Sequence, residues 1–487
     1  MKRAWFPAIM FLFLTTGCFT VGPDYKQIEP SVPAKFGSME QGVSHGDTPP
    51  KGFLDSWWNI FEDPVLESLM SKVAYQSLDL RIAKARVMQA RAQSAIASSG
   101  FLPEGSLVGD YRRVRRTETT VLGSAASSAE GREQNIYLAG FDASWEIDIF
   151  GGTRREVEAA VAELSASEDG LRDVLVTLRG EIGRNYMELR GLELRINIAG
   201  QEVKIRTENV EITEARAKAG LVSELDSARA RGELANAEAR IPSLDRSLKA
   251  AVHRLAVLLG QEPTTLEPEL ISRSRLPAAL PDLPVGLPSD LIRRRPDIRK
   301  MERELAAATA RIGVATADLF PRFSLTGSFG YEAYSSNVLF RDQSNFWGIG
   351  PAMRWPILNF KRILAQIESS KAVREEALAR YERSVLSALE EVENSLVAIS
   401  REKNRVKSLD EAVRANELAV KLAMERYLAG VQSYLAVIDA QGALYGAEDQ
   451  LAQSRQAQVL AMVTLYKALG GGWEQVSAPG DGGAPIE

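Results

Sequence analysis

Residues 137–149 read YLAGFDASWEIDI. Tyr137, Ala139, Phe141, Ala143, Trp145, Ile147 and Ile149 take every second position, with Gly140, Asp142, Ser144, Glu146 and Asp148 between them. Successive side chains of a strand point to opposite faces, so this stretch has one apolar face and one polar, acidic face. Phe323, Leu325, Phe329 and Tyr331 alternate likewise with Ser324, Thr326, Ser328 and Glu332. Trp347, Ile349, Met353, Trp355 and Ile357 stand opposite Gly348, Gly350 and Arg354, and Leu107, Gly109, Tyr111 and Arg113 run beside Ser106, Asp110 and Arg112. Strands of about ten residues with alternating faces and aromatic ends match the staves of a transmembrane β-barrel. A soluble sheet with one buried face alternates in the same way. Here the strands form two hairpins separated by about 170 residues of helical pattern, so they cannot cover their apolar side alone. Four strands also cannot close a water-filled barrel, and the expectation is one barrel shared among several chains.

The chain has 487 residues, 45% hydrophobic and 25% charged, with two His and one Cys. That composition fits neither a disordered chain nor a polytopic helical membrane protein. One Cys cannot form an internal disulfide, and two His offer little to a zinc site. A net charge of -5 leaves no broad basic face, so no nucleic-acid partner is expected. His45 and His253 lack metal-ligand spacing, there is no phosphate-cradling Gly loop, and the Ser-rich stretch 124–128 reads as an exposed hairpin loop. No enzymatic activity, cofactor or metal is expected.

The chain is written twice. Leu175, Ile182, Leu189, Ile196, Val203 and Val210 recur at intervals of seven, and an offset of 210 lays this series on Val385, Val392, Ile399, Val406, Val413 and Val420. The same offset superposes Trp145 on Trp355, Arg216 on Arg426, Gly220 on Gly430 and Ser223 on Ser433. Each copy starts with a helix (63–99; 290–318) that ends at Leu102-Pro103 or Phe320-Pro321, where Pro stops the pattern. Two alternating segments follow. A helical pattern then runs from Arg154 to Ala219, or from Lys361 to Ala429, and the next Gly fits a C-terminal cap. A helix of about 65 residues is roughly 100 Å long. A returning helix closes each copy (222–259; 432–469), with Pro242 expected to kink the first. The heptad stripe predicts coiled-coil packing.

At the N-terminus, Lys2 and Arg3 precede an apolar stretch from Ala4 to Leu14, then Thr15-Thr16-Gly17-Cys18. This is the pattern of a secretory signal, too short to span a bilayer. Cys18 directly after the small residues resembles a bacterial lipobox, although Thr15 stands where that motif usually has Leu. Acylation of Cys18 would anchor the chain and explain a lone Cys in a secreted protein. Phe19, in place of an inner-membrane-retaining Asp, points to the outer membrane.

With these features the chain resembles the trimeric outer-membrane efflux ducts, the lipoprotein branch serving resistance-nodulation-division (RND) pumps. The residues carrying the resemblance are Val21-Gly22-Pro23-Asp24-Tyr25, Trp57-Trp58 with Asp63-Pro64, Leu287 to Ile298, Ala315 to Leu325, and Arg426 to Gln441. It implies an α+β membrane protein, a homotrimer with one 12-stranded barrel continuous with a helical periplasmic tunnel. It implies passive export, with a periplasmic adaptor and an inner-membrane RND pump as partners, in contact with outer-membrane lipid. The expected organisation is a signal peptide (1–17), a lipid-anchored segment (18–62), a first repeat (63–262, strands about 105–116 and 135–149), and a linker at the tunnel waist (263–286). A second repeat (287–470, strands about 322–334 and 346–358) and a flexible tail (471–487) complete it. Phe141, Trp145 and Trp355 would face lipid. The turns with Gly220 and Ser223, and with Gly430 and Ser433, would meet the adaptor. Tyr427 matches a gate tether and Asp439 an acidic gate ring, with Asp226 in the related turn of the first copy. Gln432 stands where some members carry an Arg able to form a gate ion pair, and Ala436 where some carry another acid, so the resemblance leaves a gate salt bridge at those positions open. Competing readings are a duct for protein secretion or metal-ion efflux, and a lipid-anchored coiled-coil scaffold without a pore.

Overall fold

The computed structural model describes residues 20–28, 30, 32–37, 54–115, 133–270 and 288–474. The signal segment, Cys18, His45, the loop around 124–128, and most of the stretches 263–286 and 471–487 lie outside the described residues. The chain is mostly helical, with one four-stranded antiparallel sheet. In chain order the elements are α1 (Pro64–Gln76), α2 (Leu78–Ser99), β1 (Glu104–Arg115), β2 (Glu133–Ile147), α3 (Gly152–Lys218), α4 (Glu224–Leu258), α5 (Glu267–Leu270), α6 (Pro288–Arg294), α7 (Pro296–Ala317), β3 (Arg322–Ala333), β4 (Asn345–Arg354), α8 (Phe360–Leu428) and α9 (Tyr434–Ala468).

The leading helix of each copy is broken, where the sequence pattern reads one continuous helix. In the first copy the break is Ser77, whose ψ of 131° turns the chain out of the helical region. In the second it is Arg295, and the cause is Pro296, which disfavours helical geometry in the residue before it while fitting the first position of the next helix. Asp63 caps α1, its carboxylate accepting from the Val65 and Leu66 amides at 2.9 and 3.2 Å. Helix α4 runs through Pro242 as one element.

The chain divides into two compact units. The first holds the N-terminal segment to Ile28, Met88–Ala166 and Met301–Tyr381, and so the whole sheet, ordered β1-β2-β3-β4. In the same unit Ala315, Ile363 and Ile367 form a small core with Leu319 against them. The second holds Glu29–Val87, Ser167–Lys300 and Glu382–Glu487. The largest fully buried side chain among the described residues is its Trp57, which is 1% exposed and stacks on Tyr466 at 5.4 Å. Gly183 admits this ring, for a Cβ there would lie 2.8 Å from Trp57 Cη2. The start of the stretch expected to be a loose tail is held in this unit. Arg179 donates to the Gly472 carbonyl, Arg172 lies 5.4 Å from the Trp473 ring, and Arg294 pairs with Glu474. Burial lowers the Arg179 pKa to about 10, since a charged group there has lost water. Among the described residues no helix is long and apolar enough to cross a membrane.

Candidate functional site: sheet faces and helix turns

The pairing register assigns the two faces of the sheet. Leu107, Phe141, Phe329 and Trp347 form one row, and Trp145, Leu325 and Pro351 another on the same side. Ser106, Asp142, Ser328 and Gly348, then Glu104, Ser144, Thr326 and Gly350, form rows on the opposite side. Leu107 is 87% and Trp347 74% exposed, so the single chain leaves its apolar face uncovered. At one end of the apolar face, Trp145 Nε1 donates to the Phe101 carbonyl at 2.9 Å and Trp355 Nε1 to that of Leu319 at 3.0 Å. Both indole N–H groups are thus satisfied where the chain passes between helix and strand. Trp355 stands just beyond β4, which ends at Arg354, short of the 358 read from alternation. Pro356 has no N–H to extend the ladder. At the other end Tyr111 packs on Tyr137, with ring centroids 4.8 Å apart.

Residues 20–24 are locked onto the first unit. The Val21 amide donates to the Phe150 carbonyl at 3.0 Å. Arg155, 3% exposed, donates to the carbonyls of Val21 and Gly22 and pairs with Asp24 at 2.6 Å. Gly22 has φ of +89°, and a Cβ there would overlap the Gly313 backbone. Gly22→Ala therefore combines a disfavoured backbone with a clash, and should destabilise this unit by about 1–3 kcal/mol. A thermal unfolding midpoint equal to the parent's would contradict the close approach.

The two helix turns have one construction. Gly220 and Gly430 have φ of +69° and +75°, and beyond them Leu221 donates to the Arg216 carbonyl and Val431 to that of Arg426. This is the capping geometry that glycine permits. No atom lies within 4 Å of a Cβ built on either, so the space around both turns is open. Ser223 accepts from the Leu225 amide at 3.2 Å and caps α4, whereas Ser433 makes no such bond at the start of α9.

Tyr427 is 2% exposed and packs with Ala230, Tyr434 and Val437. Arg216 lies 5.0 Å from its ring centroid and donates to the Leu428 carbonyl at 3.1 Å. Its hydroxyl has no hydrogen-bond partner among the described residues, and within one chain its ring links α3 to α8. Burial raises its pKa, the Arg216 cation opposes the rise and the Asp226 carboxylate adds to it. Burial likewise pushes Tyr434 up to about 12. Asp226 is thus brought near Tyr427, while Asp439 is exposed and makes no ion pair among the described residues.

Sequence reasoning missed the polar links along these helices. Gln441 Oε1 accepts from Asn209 at 2.8 Å and from Arg206 at 3.2 Å, and Arg195 grips Asp449 at 2.7 and 3.3 Å. The available signal was spacing. Glu202, Arg206, Asn209 and Thr213 repeat at heptad intervals beside Val203 and Val210, a polar stripe bordering the apolar one.

The profile of the family described as Outer membrane efflux protein matches residues 69–261 and 287–471. Nodulation protein T of Rhizobium leguminosarum bv. trifolii is 33% identical over 99% of this chain and 100% of that protein. The pyoverdine export outer membrane protein OpmQ of Pseudomonas putida is 33% identical over 86% of this chain and 88% of its own. The solvent efflux pump outer membrane protein SrpC of Pseudomonas putida is 31% identical over 95% and 97%. Among solved structures, the outer-membrane channel OprN superposes with a TM-score of 0.86 at 35% identity, covering 93% of this chain and 99% of that one.

Proposed function

Because the chain belongs to the outer membrane efflux protein family, a family of ducts rather than of enzymes, we propose that three copies share one 12-stranded barrel and conduct small organic solutes passively out of the cell. It is an outer-membrane component of an efflux system. The observation that carries the trimer is the uncovered apolar face, whose rows cross all four strands and which one chain cannot close into a barrel. Relatives named for the export of pyoverdine and solvents support small organic cargo. A periplasmic adaptor docks at the open turns of Gly220 and Gly430, and an inner-membrane pump of the resistance-nodulation-division type supplies the energy. Single-channel recording on purified protein in planar bilayers tests the duct: steps of current are expected, and a pore-free scaffold would give none.

Cys18 carries a lipid that holds the mature N-terminus in the outer membrane. The support is its place after the signal segment and the fixing of residues 20–24 close behind it. Mass spectrometry of the mature protein should find Cys18 N-terminal and acylated; an unmodified thiol overturns the assignment.

The periplasmic end rests closed, with Tyr427 packing α8 against α3 and Asp439 facing its copies across the trimer axis. Tyr427→Ala removes the ring between Arg216 and Tyr434 and should raise leak conductance severalfold. Asp439→Asn keeps the size and removes charge, so it should weaken cation preference more than it widens the pore. If neither quantity moves in recordings on reconstituted trimers, the gate lies elsewhere.

A further inference from the structure

The polar face of the sheet is interrupted by one row. The two rows nearest its helix-linked end that cross all four strands contain hydroxyls, carboxylates and glycines, but the next comprises Val108, Gly140, Gly330 and Phe346, with no polar side chain. Phe346 reaches across this face, for a Cβ on Gly330 would lie 3.1 Å from its Cε1. Gly330 is buried and Phe346 half-buried, so the ring forms part of the wall. Asp142 stands one row before it and Glu332 one row beyond. Neither makes an ion pair among the described residues, whereas Asp110 is held by Arg112 at 2.5 Å.

We propose that this row forms a binding ring in the lumen for amphipathic organic cations, with Phe346 contacting the apolar body and Asp142 attracting the charge. The inference rests on the shared-barrel reading, in which this face lines the lumen and each residue occurs three times around it. Asp142 on β2 and Phe346 on β4 are one row and two strands apart, about 12 Å between Cα atoms, and the Phe346 ring shortens that gap by leaning over Gly330 of β3, leaving a span that fits an apolar cation of several rings. An aromatic ring and unpaired carboxylates on one face both favour positive charge over negative. A solute with an apolar body therefore gains contact here that a small hydrated ion does not.

The test uses the full-length protein as trimers in lipid nanodiscs, titrated with tetraphenylphosphonium and read with an electrode selective for it. Empty nanodiscs supply the lipid-partitioning baseline. Saturable binding above that baseline is expected for the parent, and none for tetraphenylborate, which has the same body and the opposite charge. Phe346→Ser should raise the midpoint about tenfold and Phe346→Tyr leave it within about twofold. Asp142→Asn, whose exposed side chain makes it safe for folding, should raise it severalfold. Parent nanodiscs that match the baseline overturn the ring, as does an unchanged midpoint in either Phe346→Ser or Asp142→Asn. Failure of the duct reading is separate: it appears as absent conductance when the same purified protein is recorded in planar bilayers, whatever the binding.

Discussion

Phe141→Arg is expected to destabilise the barrel by about 2–4 kcal/mol per chain, enough across three copies to prevent stable trimers. Phe141 lies mid-strand in the row Leu107, Phe141, Phe329 and Trp347, and its ring covers Gly105, where a Cβ would come within 2.7 Å of Phe141 Cζ. Arg there loses that cover and sets a guanidinium among hydrocarbon chains. Ser144→Arg, three residues on, points to the other face beside Thr326 and Glu104, where water reaches it. It should leave assembly intact and lower conductance. Heat-resistant trimer bands on electrophoresis, with recordings from whatever assembles, separate the two variants. Equal loss of trimer in both would mean that the faces are assigned wrongly, and a stable monomer of the parent in mild detergent would remove the shared barrel.

Trp57→Ala should cost about 3–5 kcal/mol in the second unit, the range for emptying a buried aromatic site. The indole is stacked on Tyr466 and meets the edges of Trp58 and Phe61 at 5.8 and 6.3 Å. Gly183 on α3 leaves room for it and cannot extend to fill the void. Trp57→Phe keeps an aromatic contact and should cost much less. Both are measured as shifts in the denaturant midpoint of the helical circular-dichroism signal. A Trp57→Ala midpoint within experimental error of the parent would show that this contact carries little of the unit's stability.

Phe141 and Trp57 differ in how far the sequence alone places them. Phe141 could be placed on a face from the sequence, because strand alternation has a period of two and needs no knowledge of the neighbour. The four rows of pairing then agree with the alternation of each strand taken alone. Gly220 and Gly430 were legible for a similar reason: a helix must end by leaving its last carbonyls satisfied, and a positive φ requires glycine locally. Trp57 was visible only as part of a family-like motif, since nothing nearby in sequence says that Tyr466 will stack on it.

The sequence by itself determined the duplication, the strand faces, the long helices and their glycine caps, because each follows from periodicity or from the φ of one residue. It also misjudged the leading helices at Ser77, where one residue leaves helical geometry without disturbing the spacing of its apolar neighbours. Only the tertiary structure decided which polar side chains are buried and what holds them. Arg155 meets Asp24 across 131 residues and Arg206 meets Gln441 across 235, and the Tyr427 ring meets Arg216 and Tyr434. The physical reason is that burying a charge such as Arg155 or Arg206 is favourable only when a partner is in place, and that partner is brought by folding from a distant part of the chain.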